Sequence, residues 1–138
     1  MVMESQTLFS AENRVAPLGI ISLAGAQELS KKVEAHLVRW AKLAGLDYDT
    51  FLIESSCPRF SSGDGKGMIN STVRGYDLFF IVDVGNYSLT YNYFGQENRM
   101  SPDDHYQDLK RLIQAASGKA HRVNVVMPLL YGGRQHRR

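Results

Sequence analysis

Two kinds of apolar spacing alternate along this chain, and their order predicts its elements. Residues 1–16 are polar and aperiodic, and residues 1–17 read as an irregular peripheral extension. "LGIISLAG" (18–25) is a continuous apolar run ending in glycine, the pattern of a buried strand entering a turn. A helix is predicted over 26–44, because Leu29, Val33, Leu37, Trp40 and Ala44 recur at three- and four-residue spacings. Lys31, Lys32, Glu34 and Arg39 lie off that stripe, and Gly45 suits a C-terminal stop. "DTFLIESS" (49–56) reads as a second strand, followed by the Gly-rich turn "FSSGDGKG" (60–67). "MINSTV" (68–73) and "DLFFIVDV" (77–84) read as strands joined by the turn "RGYD". The second of them is apolar on both faces, as a central strand covered by helices must be.

Residues 85–100 show no clear period and are long for a connection, which reads as a surface insertion at about 85–104. Its aromatics, Tyr87, Tyr91, Tyr93 and Phe94, suit packing within the insertion better than a subunit interface. "SPDD" (101–104) then opens a helix: Ser101 can cap, Pro102 fits the first turn, and Asp103 and Asp104 favour the positive end of the helix dipole. Tyr106, Leu109, Ile113 and Ala116 form its apolar face and Gly118 stops it. "RVNVVMP" (122–128) reads as one more buried strand. Strand, helix, strands, helix and strand in that order predict a layered α/β domain with a partly parallel central sheet.

At 138 residues the chain has room for one domain with a real core. A formal charge of +2 argues against nucleic acid or an anionic membrane as partner. Cys57 stands alone, so neither a disulfide nor a cysteine-based zinc site can form within the chain. With no signal-peptide pattern and no apolar run long enough to span a bilayer, the expected location is cytoplasmic.

"SSGDGKG" (61–67) suggests a phosphate-cradling loop, but its spacing fits neither a Walker sequence nor a dinucleotide fingerprint. On spacing alone a hairpin turn is the better reading. His36, His105, His121 and His136 lack metal-site spacing and read as surface or boundary residues. Asp83 follows a central strand, where open α/β sheets place ligand contacts, but it has no partner in the sequence. "RQHRR" (134–138) follows the last strand. Arginine offers bidentate contacts to phosphate and glutamine can bond a base or ribose edge, although a solvated tail has the same composition.

Two stretches together change that balance. "RFSSGDGKGMINSTVRGYDLFFIV" resembles the segment of ribose-phosphate diphosphokinases that runs Arg/Lys-Phe-Ser-Asn-Gly-Glu, a short strand, Val-Arg-Gly-x-Asp and a hydrophobic strand. "RVNVVMPLLYGGRQHRR" is similar to the same family's strand ending in Pro, followed by Tyr-Ala-Arg-Gln-Asp and a basic pair. "IISLAGAQELSKKVEAHL" matches its first strand and helix in pattern. The resemblance covers about 18–138, apart from 85–104.

The resemblance implies the N-terminal half of a phosphoribosyltransferase-like α/β/α fold. It also implies part of an enzyme that moves the diphosphoryl group of ATP onto C1 of ribose 5-phosphate, with Mg2+ accompanying ATP. Carried over, Phe60 would stack on adenine, and Ser62 and Asp64 would bond its edge, with this loop crossing a subunit boundary in a homo-oligomer. Arg134, Gln135 and His136 fall where the family contacts ATP, and Thr72 and Arg74 where it holds an allosteric nucleotide or phosphate. Ser62 replaces an amide, Asp64 shortens a carboxylate and His136 replaces an aspartate. The family's catalytic loop, magnesium ligands and ribose-phosphate loop are expected beyond Arg138. The 138-residue chain alone is therefore expected to be inactive, since phosphoryl transfer depends on those charges. A non-catalytic homologue that binds nucleotide or regulates a full-length synthetase is the alternative.

Overall fold

A computed structural model describes residues 9, 10 and 14–135. Its centre is a parallel sheet of β1 (Leu18–Ser22), β4 (Asp77–Ile81) and β7 (Arg122–Val126), in the order β1-β4-β7. Leu52 extends this sheet through a parallel bridge to Ile20, with Phe51 and Ile53 bonded to the Ile20 backbone. The expected strand over 49–56 is thus split into this short parallel contact and a two-residue strand, Ser55–Ser56. Glu34 holds the parallel contact in place, accepting from the Phe51 and Leu52 amides at 3.0 and 3.2 Å.

The sheet's two faces carry separate cores, as alternation along a strand requires. Ile20 and Ile81 face helix α1 (Gln27–Leu43) and pack with Ala26, Ala41 and Phe51. Ile21, Leu78, Phe80 and Val82 face helix α2 (Pro102–Ala116) and pack with Leu109, Leu112 and Ala116. The result is the expected α/β/α layering, with β4 in the middle and buried on both faces.

Three details depart from the pattern-based reading. The buried face of α1 runs through Ser30 and Ala41, while Leu29, Trp40 and Leu43 are exposed. Ser30 can be buried there because its hydroxyl donates to the Ala26 carbonyl at 2.9 Å, leaving no unpaired polar atom. Strand β7 is not buried: Val123, Val125 and Val126 are all exposed, as an edge position allows. "MINSTV" shrinks to β3 (Met68–Ile69), which pairs antiparallel with β2 (Ser55–Ser56).

The aperiodic insertion is itself a hairpin of β5 (Thr90–Tyr93) and β6 (Gln96–Arg99). Phe94 and Gly95 turn it with φ of 48° and 81°, the two positive values of a type I′ turn. A bulky residue at positive φ costs on the order of 1–3 kcal/mol, so something must hold Phe94 there. Asn92 Oδ1 takes the Gly95 amide at 2.8 Å, and the Phe94 amide donates to Ser61 at 2.9 Å. Helix α2 starts as read: Ser101 and Asp104 form a reciprocal capping box, with Pro102 in the first turn.

Candidate functional site

The loop between β2 and β3 is a hairpin turn, as its spacing suggests. Arg59 bridges to Gly65, the Phe60 amide donates to Asp64 at 2.7 Å, and the Gly63 amide returns to Phe60 at 2.9 Å. Its glycines answer packing demands. Gly63 sits at φ +87°, and a Cβ there would come within 2.9 Å of the Tyr93 ring. Gly67 lies so close to α2 that a Cβ would stand 2.5 Å from the Arg111 carbonyl oxygen. The loop is held flat between the inserted hairpin and α2.

Phe60 stands out from this pinned loop, 57% exposed. Ser62 and Asp64 are exposed beside it and bond each other, with the serine hydroxyl donating to the carboxylate at 3.0 Å. Beneath them lies an ion cluster that the sequence did not announce. Arg59 donates to Asp108 at 3.1 Å and to the Gly63 carbonyl at 3.3 Å, and its guanidinium lies 4.9 Å from the Tyr91 ring centroid. Arg111 meets the other Asp108 oxygen at 2.7 Å. Burial pushes the Asp108 carboxyl above its ordinary value, outweighing the pull of Arg111 and Arg59. Burial, and then the Asp108 charge, pushes the neighbouring Cys57 thiol up to about 12. Cys57 is a packed thiol and not a nucleophile.

Arg134 and Gln135 occupy the turn after β7, where the Gln135 amide donates to Gly132 at 2.9 Å. Tyr131 ties that turn to the start of α2, stacking on Tyr106 and donating to Asp103 at 2.6 Å. Its hydrogen bond to Asp103 raises the Tyr131 phenol above its ordinary value. His136 lies outside the described residues.

Thr72 and Arg74 share a groove of about 510 Å³ with Asn70, Ala115 and Lys119. They precede β4, whereas Arg134 follows β7, and the two strands are parallel. Thr72 and Arg74 and the Arg134 turn are therefore at opposite ends of the sheet. Asp83 is committed to the backbone, accepting the Gly85 amide at 2.9 Å. Of the histidines, His105 is neither surface nor boundary: it is 2% exposed and bonds the Asn86 carbonyl at 2.7 Å, fixing the root of the insertion.

A cavity of about 370 Å³ opens at the carboxyl end of β1, lined by Ser22, Gln27, Ser55, Arg59, Tyr91 and Asp108 among others. Neither Phe60 nor Arg134 lines it. Among the described residues no three His, Cys, Asp or Glu side chains converge to hold a metal ion. No helix among them is long and apolar enough to cross a membrane.

Sequence reasoning missed Arg59, Asp108 and Tyr131, and it assigned Tyr91 to packing within the insertion, whereas its ring lies against Arg59. The contacts that join Arg59 to Asp108 and Tyr91, and Tyr131 to Asp103, link residues far apart in sequence, so spacing carries no signal for them. The family model for the N-terminal domain of ribose phosphate pyrophosphokinase matches residues 18–138. No curated protein matches the chain significantly.

Proposed function

This chain belongs to the family of N-terminal domains of ribose phosphate pyrophosphokinase, and we propose that it supplies the ATP side of an enzyme transferring the diphosphoryl group of ATP to C1 of ribose 5-phosphate. The products are phosphoribosyl pyrophosphate and AMP. The observation that carries this reading is Phe60: a large aromatic side chain, 57% exposed, on a loop whose backbone is hydrogen-bonded internally. A ring presented that way is pre-organised for stacking on a base, at little entropic cost on binding. Asp64 next to it keeps carboxylate lone pairs that can accept from an adenine amine.

Arg134 and Gln135 supply the second half, contacting phosphate and ribose of an ATP that arrives with Mg2+. Phe60 and Arg134 belong to different copies of the chain in this reading, so the loop completes a neighbour's site. Thr72 and Arg74, with the charge of Lys119 in the same groove, suit a nucleotide diphosphate or phosphate as regulator. The Ser62–Asp64 bond favours a second reading, a homologue that regulates a full-length synthetase, because it occupies two positions that would face adenine.

Titration calorimetry with ATP and Mg2+ tests the first reading. Stacking on an aromatic side chain contributes about 1–3 kcal/mol per base, so Phe60→Ala should weaken ATP binding by roughly fivefold to a hundredfold. Arg134→Ala should weaken it too, and inorganic phosphate should compete only weakly. Wild-type affinity in both variants would remove the ATP reading. Co-purification with a full-length synthetase, without ATP binding, would establish the regulator instead.

A further inference from the structure

The inserted hairpin meets the Phe60 loop at three points. The Phe94 amide donates to the Ser61 carbonyl at 2.9 Å. The Tyr93 ring lies against Gly63, closely enough that a Cβ there would stand 2.9 Å from the ring. The Tyr91 ring lies under Arg59, whose guanidinium also donates to the Gly63 carbonyl at 3.3 Å and to Asp108 at 3.1 Å. One arginine thus ties the hairpin, the loop and α2 together, and it is well shielded, with a side-chain exposure of 10%.

We infer that the β5–β6 hairpin is a positioning element for the Phe60 loop, with Tyr91 and Tyr93 as the positioning residues. The loop's own hydrogen bonds shape its turn but leave its angle to the body of the domain free. Arg59 and the hairpin set that angle. Tyr93 forms the outer wall and Asp108 and Arg111 the inner floor, so Phe60 is aimed in one direction. This explains why the hairpin tip accepts a positive φ at Phe94: the turn places its amide on Ser61. It also gives the exposed aromatics a role, since Tyr93 is 44% and Phe94 70% exposed and both flank the loop's outer side. Part of the inference rests on the reading proposed above, namely that the aimed ring meets a nucleotide base. The coupling of hairpin to loop does not.

The experiment measures amide hydrogen exchange and ATP affinity in the wild-type protein, Tyr93→Ala and Tyr93→Phe. Exchange is followed at Gly63 and Lys66, whose amides donate within the loop. Tyr93→Ala should speed both amides at least tenfold while β4 amides keep their protection, and Tyr93→Phe, which keeps the ring, should behave as wild type. Unchanged loop exchange in Tyr93→Ala overturns the inference. If β4 amides also lose protection, Tyr91→Ala is measured and judged by the same criterion. Where the wild-type protein binds ATP, Tyr93→Ala should bind about tenfold more weakly, and equal affinity would overturn the link to nucleotide. A wild-type protein that binds no ATP would sink the proposed function, while the exchange result would still decide whether the hairpin positions the loop.

Discussion

Tyr106 and Tyr131 stack face to face, with ring centroids 4.1 Å apart and only 3° between their planes. One ring comes from the second turn of α2 and the other from the segment just after the exposed edge strand β7. Tyr131 adds a hydrogen bond to Asp103, and its own amide donates to Met127 Sδ at 3.1 Å. The pair fastens the turn that carries Arg134 and Gln135 to a capped helix. Tyr131→Ala should free that turn and weaken ATP binding roughly tenfold, whereas Tyr131→Phe, which keeps the stack, should lose much less. Calorimetry on both variants checks it, and equal losses would mean that the hydroxyl matters more than the stack.

Cys57 should resist alkylation. Its thiol is pushed up to about 12 by burial and by the Asp108 charge. At pH 8 the thiolate population falls about a thousandfold below that of an ordinary thiol, and the thiolate is the reactive form. Iodoacetamide should therefore label the folded protein on the order of a thousandfold more slowly than the protein in urea. Labelling at the unfolded rate would show that the loop over Asp108 opens readily.

The face of α1 gives a stability contrast. Trp40 is 39% exposed, so Trp40→Ala should cost less than replacing a core aromatic, about 1 kcal/mol. Ser30 is fully buried between the helix and the sheet, so Ser30→Leu should overpack the interface and cost about 1–3 kcal/mol. Urea unfolding of both variants checks the order. A larger loss from Trp40→Ala would restore the helix face that apolar spacing alone suggests.

That contrast also shows where sequence reading stops. Of the stripe Leu29, Val33, Leu37, Trp40 and Ala44, Val33 and Leu37 pack against the core as read, but Leu29 and Trp40 are exposed and the buried line is completed by Ser30 and Ala41. A small polar residue that satisfies itself on the preceding turn is invisible to a hydrophobicity pattern. The second helix was more legible, because Leu109 and Ala116 are buried as read and its capping residues are local in sequence. The Phe60 loop was legible as a turn, but not the close approach that its glycines allow. What they approach, Tyr93 and α2, is distant in sequence and could not be inferred. Strand β7 misled for a simpler reason: valines suit an edge strand as well as a central one, and only the sheet order separates the two.

Asp77 gives a pH signature of definite sign. Arg122 donates to it twice, at 2.8 and 2.5 Å, across the start of β4 and β7, and Asn124 adds a third bond at 2.8 Å. The Arg122 hydrogen bonds hold the Asp77 carboxyl below its ordinary value, against the opposing effect of burial, and Asn124 lowers it further. A carboxyl with a depressed folded-state value stabilises the fold above its ordinary range, near 3.8, and loses that contribution as pH falls through the lower value. Asp108 has the opposite sign, because burial raises it, so the acid behaviour of the whole protein mixes the two. The difference between wild type and Asp77→Asn isolates the first. Asp77→Asn should be clearly less stable at pH 7, and the gap should narrow below about pH 4 as the wild-type carboxyl takes up its proton. Urea midpoints measured from pH 7 to pH 3 check this. A gap independent of pH would mean that the loss in Asp77→Asn comes from hydrogen-bond geometry and not from the charge of the carboxylate.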